Sequence, residues 1–214
     1  MTLRALLILA AAVAAVPARA QAPASGQYGR MTLAVAGGTV SGVFSSFRMA
    51  NGTGAAPQFS CIFLLRGPLQ GTRAHVTTWF PREKPSDSIE GDLVFEHGTA
   101  TLTLAENPGG CMMTGEYFER QQPGTELQPE AMPLTRPQPA WAGVAMVTAN
   151  RATRRSRPDA PPPPTPYVVR YDAVGVLERR GAWLRVSVPG AKTPTSGWLR
   201  ADELAPETPP KSPG

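Results

Sequence analysis

The sequence predicts an all-β protein: an antiparallel small barrel or sandwich over residues 26–118, followed by a second, smaller β region over residues 140–206. Three observations carry this. Short runs of alternating apolar and polar residues recur along both stretches. The segments between the runs are rich in Gly, Pro and Asn, the residues of turns and loops. No window of 26–118 repeats its apolar residues at helical spacing.

The first elements follow in order. Met31, Leu33 and Val35 alternate with Thr32, Ala34 and Ala36, and Gly37-Gly38 leads into Thr39-Val40-Ser41-Gly42-Val43-Phe44. A Gly-Gly pair between two such runs predicts a hairpin, because both turn residues need positive φ. Phe59, Cys61, Phe63 and Leu65 alternate next. Residues 75–80, 89–95, 100–105 and 111–118 continue the pattern, for about seven strands in all. Glu106-Asn107-Pro108-Gly109-Gly110-Cys111 reads as a tight turn pinned by its cysteine, or as an exposed loop that enters a partner's cleft.

Residues 119–139 are proline-rich with little apolar periodicity, which predicts a semi-rigid interdomain linker. Beyond it, residues 141–148, 167–170 and 173–177 read as strands, and Glu178-Arg179-Arg180-Gly181 as a turn. Ala182, Leu184, Val186 and Val188 form an apolar face opposite Trp183, Arg185 and Ser187. Pro189-Gly190 turns the chain, and Ser196-Gly197-Trp198-Leu199 returns it. PDAPPPPTP at 158–166 favours polyproline II, as a long loop between strands or as a docking peptide. The tail, 207–214, reads as disordered.

Charged Arg4, an apolar run over 5–16, Pro17 and Ala18-Arg19-Ala20 have the layout of a secretory signal peptide, residues 1–20. The run is shorter than the roughly 20 residues that span a bilayer. No later stretch is apolar enough, so the mature chain is expected to lack a transmembrane segment and to be periplasmic or secreted. In that oxidising setting Cys61 and Cys111 predict one disulfide. Closing the loop between them stabilises the fold by roughly 4 kcal/mol on the chain-entropy model.

The chain carries 21 basic and 16 acidic residues, and loss of Arg4 and Arg19 leaves a surplus of three positive charges. Residues 26–118 hold six basic and seven acidic groups, whereas 140–206 hold ten and five. The cationic second half favours a cell-wall polymer or an envelope protein as partner. Export makes nucleic acid an unsuitable one. Arg151, Arg154, Arg155 and Arg157 form the densest basic cluster. It reads as a solvated loop, or as an anion site in which guanidinium forks clasp carboxylate or phosphate.

YVVRYDAVGVLERRGAWLRVSV, followed by SGWLRADEL, resembles bacterial SH3-like domains. The resemblance rests on Gly181-Ala182-Trp183, on Gly197-Trp198, and on Ala201-Asp202-Glu203-Leu204 as a helical turn closed by a leucine. Ser156-Arg157-Pro158 matches a Ser-x-Pro turn near the start of that family. The likeness covers about residues 140–206 and implies a small binding barrel. The PPPP insertion lengthens a loop that borders the ligand groove in many relatives. Trp183, Trp198 and Tyr167 are then candidate binding residues, either packed in the core or stacking on sugar or peptide. For 26–118 no family is recognised.

Catalysis needs a nucleophile or metal with a positioned base. His75 reads as a strand residue and His97 as a turn residue. Together with Glu90, Asp92 or Glu96 they form no dense ligand motif, so no metal, cofactor or catalytic residue is expected. A disulfide would consume both thiols. The Gly-Gly pairs lack the strand, helix and lysine of a phosphate loop.

The leading reading is a non-enzymatic exported envelope protein. Its SH3-like module would fold independently on the linker and contact peptidoglycan or a protein partner, with the first domain adding avidity. The alternative is a periplasmic inhibitor or small-ligand carrier acting through the N-terminal β domain, by a barrel cavity or by the loop at Asn107-Pro108-Gly109. A wall-degrading hydrolase is disfavoured, because no acid pair, His-Cys pair or zinc triad stands at recognisable spacing. The ligand's identity and the oligomeric state leave no signal in the sequence.

Overall fold

A computed structural model describes residues 22–49, 57–81, 87–121, 123–164, 166–189 and 196–208. The expected signal peptide, Gly190 of the expected turn and most of the tail lie outside these residues. None of the described helices is long and apolar enough to cross a membrane.

Eight strands close an up-and-down antiparallel barrel in which each pairs with the next and the last with the first. They are β1 (Gly26–Tyr28), β2 (Met31–Ala36), β3 (Thr39–Met49), β4 (Pro57–Gln70), β5 (Arg73–Trp79), β6 (Ile89–Glu96), β7 (Thr99–Leu104) and β8 (Ala131–Pro137). Gly37 and Gly38 join β2 to β3 at φ 56° and 70°, as the hairpin requires. Alternation sends Met31, Leu33, Leu65, Leu93 and Leu102 into the barrel, where they are fully buried. Phe44 and Phe63 stack at 5.1 Å, and Phe118 stands edge-on to them at 4.9 and 5.4 Å. Each such ring pair contributes about 0.5–1.5 kcal/mol beyond its buried area.

Several expectations change. Residues 111–118 do not form a strand. Cys111–Thr114 is a one-turn helix, α1, set between Gly110 and Gly115 at φ 82° and 85°. Two left-handed glycines so close together leave no room for an extended run, and the chain turns Phe118 into the barrel instead. The Phe118 amide donates to Asn107 Oδ1 at 2.7 Å, and its carbonyl accepts from Leu104 at 2.8 Å. The expected Cys61–Cys111 disulfide is present, with a sequence separation of 50 residues, and it ties α1 to β4.

The second change concerns 119–139, read as linker. Its residues 131–137 are β8, the strand that closes the barrel. β8 pairs with β7 through 131–133 and with β1 through 134–137. Each half therefore serves one neighbour, and a proline lacking its N–H is tolerated on such an edge.

The rest of the chain builds β9 (Gly143–Met146), β10 (Arg151–Thr153), β11 (Tyr167–Val169), β12 (Ala173–Arg180), β13 (Trp183–Ser187), β14 (Ser196–Arg200) and a 3-10 turn, Ala201–Glu203. β14, β13, β12 and β9 form one sheet in that order, and β10 and β11 form a ribbon. Glu178, Arg179 and Arg180 belong to β12 rather than to a turn; the turn is Gly181-Ala182. Leu184, Val186, Leu199, Val174 and Val168 fill this unit's core. Residues 158–164 and Pro166 lie in the loop from β10 to β11.

The two parts share a third buried cluster. Ala34, Val43, Leu64 and Trp79 on the outside of the barrel meet Trp141, Val144, Met146 and Ala205. Ser41 Oγ accepts from the Val144 amide at 3.2 Å across this contact. The outer face of β2–β4 is apolar at these positions and must be covered, so the second sheet is docked on the barrel rather than hung from a tether.

Candidate functional site

Because side chains alternate along a strand, the residues opposite the core of the second sheet lie on its outer face. Cross-strand pairing sets them in two rows. Arg180, Trp183 and Arg200 are mutual partners in one row. Glu178, Arg185 and Trp198 make the next, and the bridge from Trp198 to Arg155 adds a fourth member. Arginines and tryptophans thus alternate over the surface.

The pairs interact. The Arg155 guanidinium lies 5.0 Å from the Trp183 ring centre, and that of Arg200 lies 5.7 Å from the same ring. Arg180 covers Trp198 at 5.1 Å. Contacts of this kind contribute about 0.5–1 kcal/mol each at exposed sites. Trp198 is buried beneath them, whereas Trp183 is half-buried.

Carboxylates anchor part of the array. Glu178 holds Arg180 and, at 3.4 Å, Arg185. Asp202 grips Arg200 at 3.0 Å. That hydrogen bond holds the Asp202 carboxyl below its usual range and raises the Arg200 guanidinium, so the pair stays ionised. Arg155 instead donates to the Ala160 carbonyl at 2.8 Å. Among the described residues neither Arg155 nor the exposed Arg157 is ion-paired to a carboxylate. A guanidinium laid on an aromatic face keeps its in-plane N–H groups pointing outward, a preset fork for an anion.

The structure divides the residues singled out from the sequence. Arg155, Trp183 and Trp198 meet on this face. Arg151 and Tyr167 meet elsewhere, on the β10–β11 ribbon, 4.0 Å from guanidinium to ring centre. Arg151 also donates to the Pro164 carbonyl at 2.6 Å. Arg154 is buried, and burial lowers its pKa. It is a packing residue rather than a surface cation. Arg180, Arg185 and Arg200 were missed because they join the face only through cross-strand register.

Gly197 leaves space for a neighbouring segment. A side chain there would put its Cβ 2.8 Å from Arg154 Cβ and 3.2 Å from the Arg155 carbonyl oxygen. Glycine lets residues 154–155 close on β14, where Arg155 and Trp198 exchange backbone hydrogen bonds of 3.0 and 2.8 Å. Gly197→Ala is expected to cost about 1–3 kcal/mol by overpacking. Urea denaturation checks this, and an unchanged midpoint would show that the contact is slack.

On the barrel, His75 lies between Asp92 and Glu90, at 3.2 and 3.4 Å, on an exposed surface. No group of three or more potential metal ligands is assembled among the described residues. Comparison with known families, curated proteins and solved structures finds no match for this chain.

Proposed function

We propose that the chain is a non-enzymatic binding protein of the cell envelope, and that the Arg-Trp face of its second sheet contacts an anionic wall polymer, peptidoglycan. The observation that carries this reading is Arg155, stacked on half-buried Trp183 with no carboxylate partner. The in-plane donors suit a carboxylate on the polymer, and the exposed part of the ring suits a sugar. A disulfide fits a periplasmic or secreted location. A small β unit closed by a 3-10 turn supports the resemblance to SH3-like domains. The carrier alternative has less support, because the described barrel axis is occupied by Phe44, Phe63 and Phe118.

Cosedimentation with purified sacculi tests the proposal. Arg155→Gln together with Arg157→Gln is expected to lower affinity about tenfold, the loss of one or two charge-assisted contacts. Trp183→Ala should lower it comparably, and raised salt should weaken the parent protein's binding. Equal pelleting of parent and variants would refute a wall-binding role for this face. Capture of an envelope protein without sacculus binding would favour a protein partner.

A further inference from the structure

Arg155 leaves the backbone at a fixed point, because its amide and its carbonyl both pair with Trp198. Its side chain is long and rich in rotamers, so a fixed backbone alone does not lay the guanidinium on Trp183. A second contact does. Arg155 Nη1 donates to the Ala160 carbonyl at 2.8 Å, while the guanidinium lies 5.0 Å from the Trp183 ring centre. The group is held at one edge and on one face, and its remaining in-plane N–H groups stay available.

The turn 157–160 places the acceptor. Asp159 stands at φ 62°, in the left-handed region that few side chains other than Asn and Asp enter. The Ala160 amide closes the turn onto the Arg157 carbonyl at 3.3 Å. Ala160 itself is 8% exposed, so the turn is anchored in the protein. Prolines flank it. The ring of Pro158 fixes its own φ, and Pro161 restricts Ala160, the residue before it, to extended backbone. The far end of the proline run is tied down as well, since Arg151 donates to the Pro164 carbonyl at 2.6 Å. The turn also bears on Arg200, the other guanidinium over Trp183. Arg200 is held charged chiefly by its hydrogen bond to Asp202, and Asp159 adds to that field. A left-handed residue other than glycine costs free energy and persists where its surroundings require it.

We propose that the Arg157–Ala160 turn is a positioning clamp for the Arg-Trp face: Asp159, by its left-handed backbone, and Ala160, by its carbonyl, hold Arg155 on Trp183 with its free donors turned toward a wall carboxylate. The flanking prolines stiffen the clamp. A fork oriented before the ligand arrives loses less entropy on binding. The binding consequence rests on the wall-polymer reading, whereas the placement of Arg155 does not.

The test uses the full mature chain, with oxidative footprinting of the free protein and cosedimentation with sacculi read separately. Valine is β-branched and disfavoured at positive φ. Asp159→Val is therefore expected to raise Trp183 oxidation about threefold, with buried Trp141 unchanged, and to lower sacculus affinity about fivefold as the share of molecules with Arg155 in place falls. Asp159→Asn, which accepts the left-handed backbone, should match the parent in both readouts. Pro161→Gly, which frees the Ala160 backbone, should move both in the direction of valine. Trp183 oxidation at the parent's rate in both Asp159→Val and Pro161→Gly would overturn the proposal. Should Asp159→Val expose Trp141 as well, Pro161→Gly alone decides. Asparagine as harmful as valine would also overturn it, by showing that the charge of Asp159 matters and its backbone does not. Parent-like pelleting by a variant with exposed Trp183 would overturn the clamp's part in binding. A parent that does not pellet refutes the wall-polymer reading, and the footprint of the free protein still decides the placement of Arg155.

Discussion

Trp141→Ala is expected to destabilise the whole chain by about 3–5 kcal/mol, the range for emptying a large aromatic site in a packed core. Trp141 is 2% exposed and sits where the second sheet meets the barrel. Its indole N–H donates to Ser187 Oγ at 2.7 Å. Its ring lies against Gly175, where any side chain would collide with the indole. Gly175 and Ser187 are direct cross-strand partners, so one ring covers both strands. The substitution opens a cavity, unpairs a buried hydroxyl and exposes Val144 and Met146 to partial hydration. Urea denaturation followed by circular dichroism should show one transition in the parent, because the two parts share a core, and a lower midpoint in the variant. A midpoint change worth less than about 1 kcal/mol, or two separate parent transitions, would mean that the parts stand alone.

The paired substitution Cys61→Ala and Cys111→Ala is expected to cost about 4 kcal/mol, as is reduction of the parent. The disulfide closes a long loop and fixes α1 against β4. Beyond α1 the chain carries Glu116, whose carboxylate accepts from Ser46 Oγ at 2.7 Å and pairs with Arg30 at 2.9 Å. Phe118 then enters the barrel. Loss of the bridge removes a restraint on the unfolded chain and loosens the segment that fills the barrel end. Denaturation with and without reductant measures this. Coincident curves would show that packing alone holds the plug.

The all-β class was legible in simple alternation. Residues 89–96 and 99–104 bury every second side chain, and Gly37-Gly38 marks a hairpin by itself. The disulfide followed from two cysteines and the expectation of an oxidising compartment. β8 was obscured because Pro133 and Pro137 argue against a strand, and only the closed barrel shows that each half of β8 needs one neighbour. α1 was obscured because Cys111 and Met113 alternate with Met112 and Thr114 in a way that suits a strand as well as a turn of helix. Of the site, Trp183 and Arg155 were visible as residue types. Their meeting was not, since Arg155 reaches β14 from the loop after β10, with three strands between them in the chain, and the space it needs is left by Gly197. Arg154 and Arg155, adjacent in sequence, have opposite fates for the same reason: one side chain points into the unit and its neighbour points out.

The shared core also fixes the Arg-Trp face relative to the barrel, where a semi-rigid linker would have left the second sheet undocked.

The most direct measurement of the wall-binding claim is oxidative footprinting of the tryptophans with and without sacculi. The account predicts that half-buried Trp183 is oxidised in the free protein and protected when sacculi are added, while buried Trp141 changes little. Equal oxidation of Trp183 in both conditions, with the protein shown to be bound, would place the contact elsewhere and contradict it.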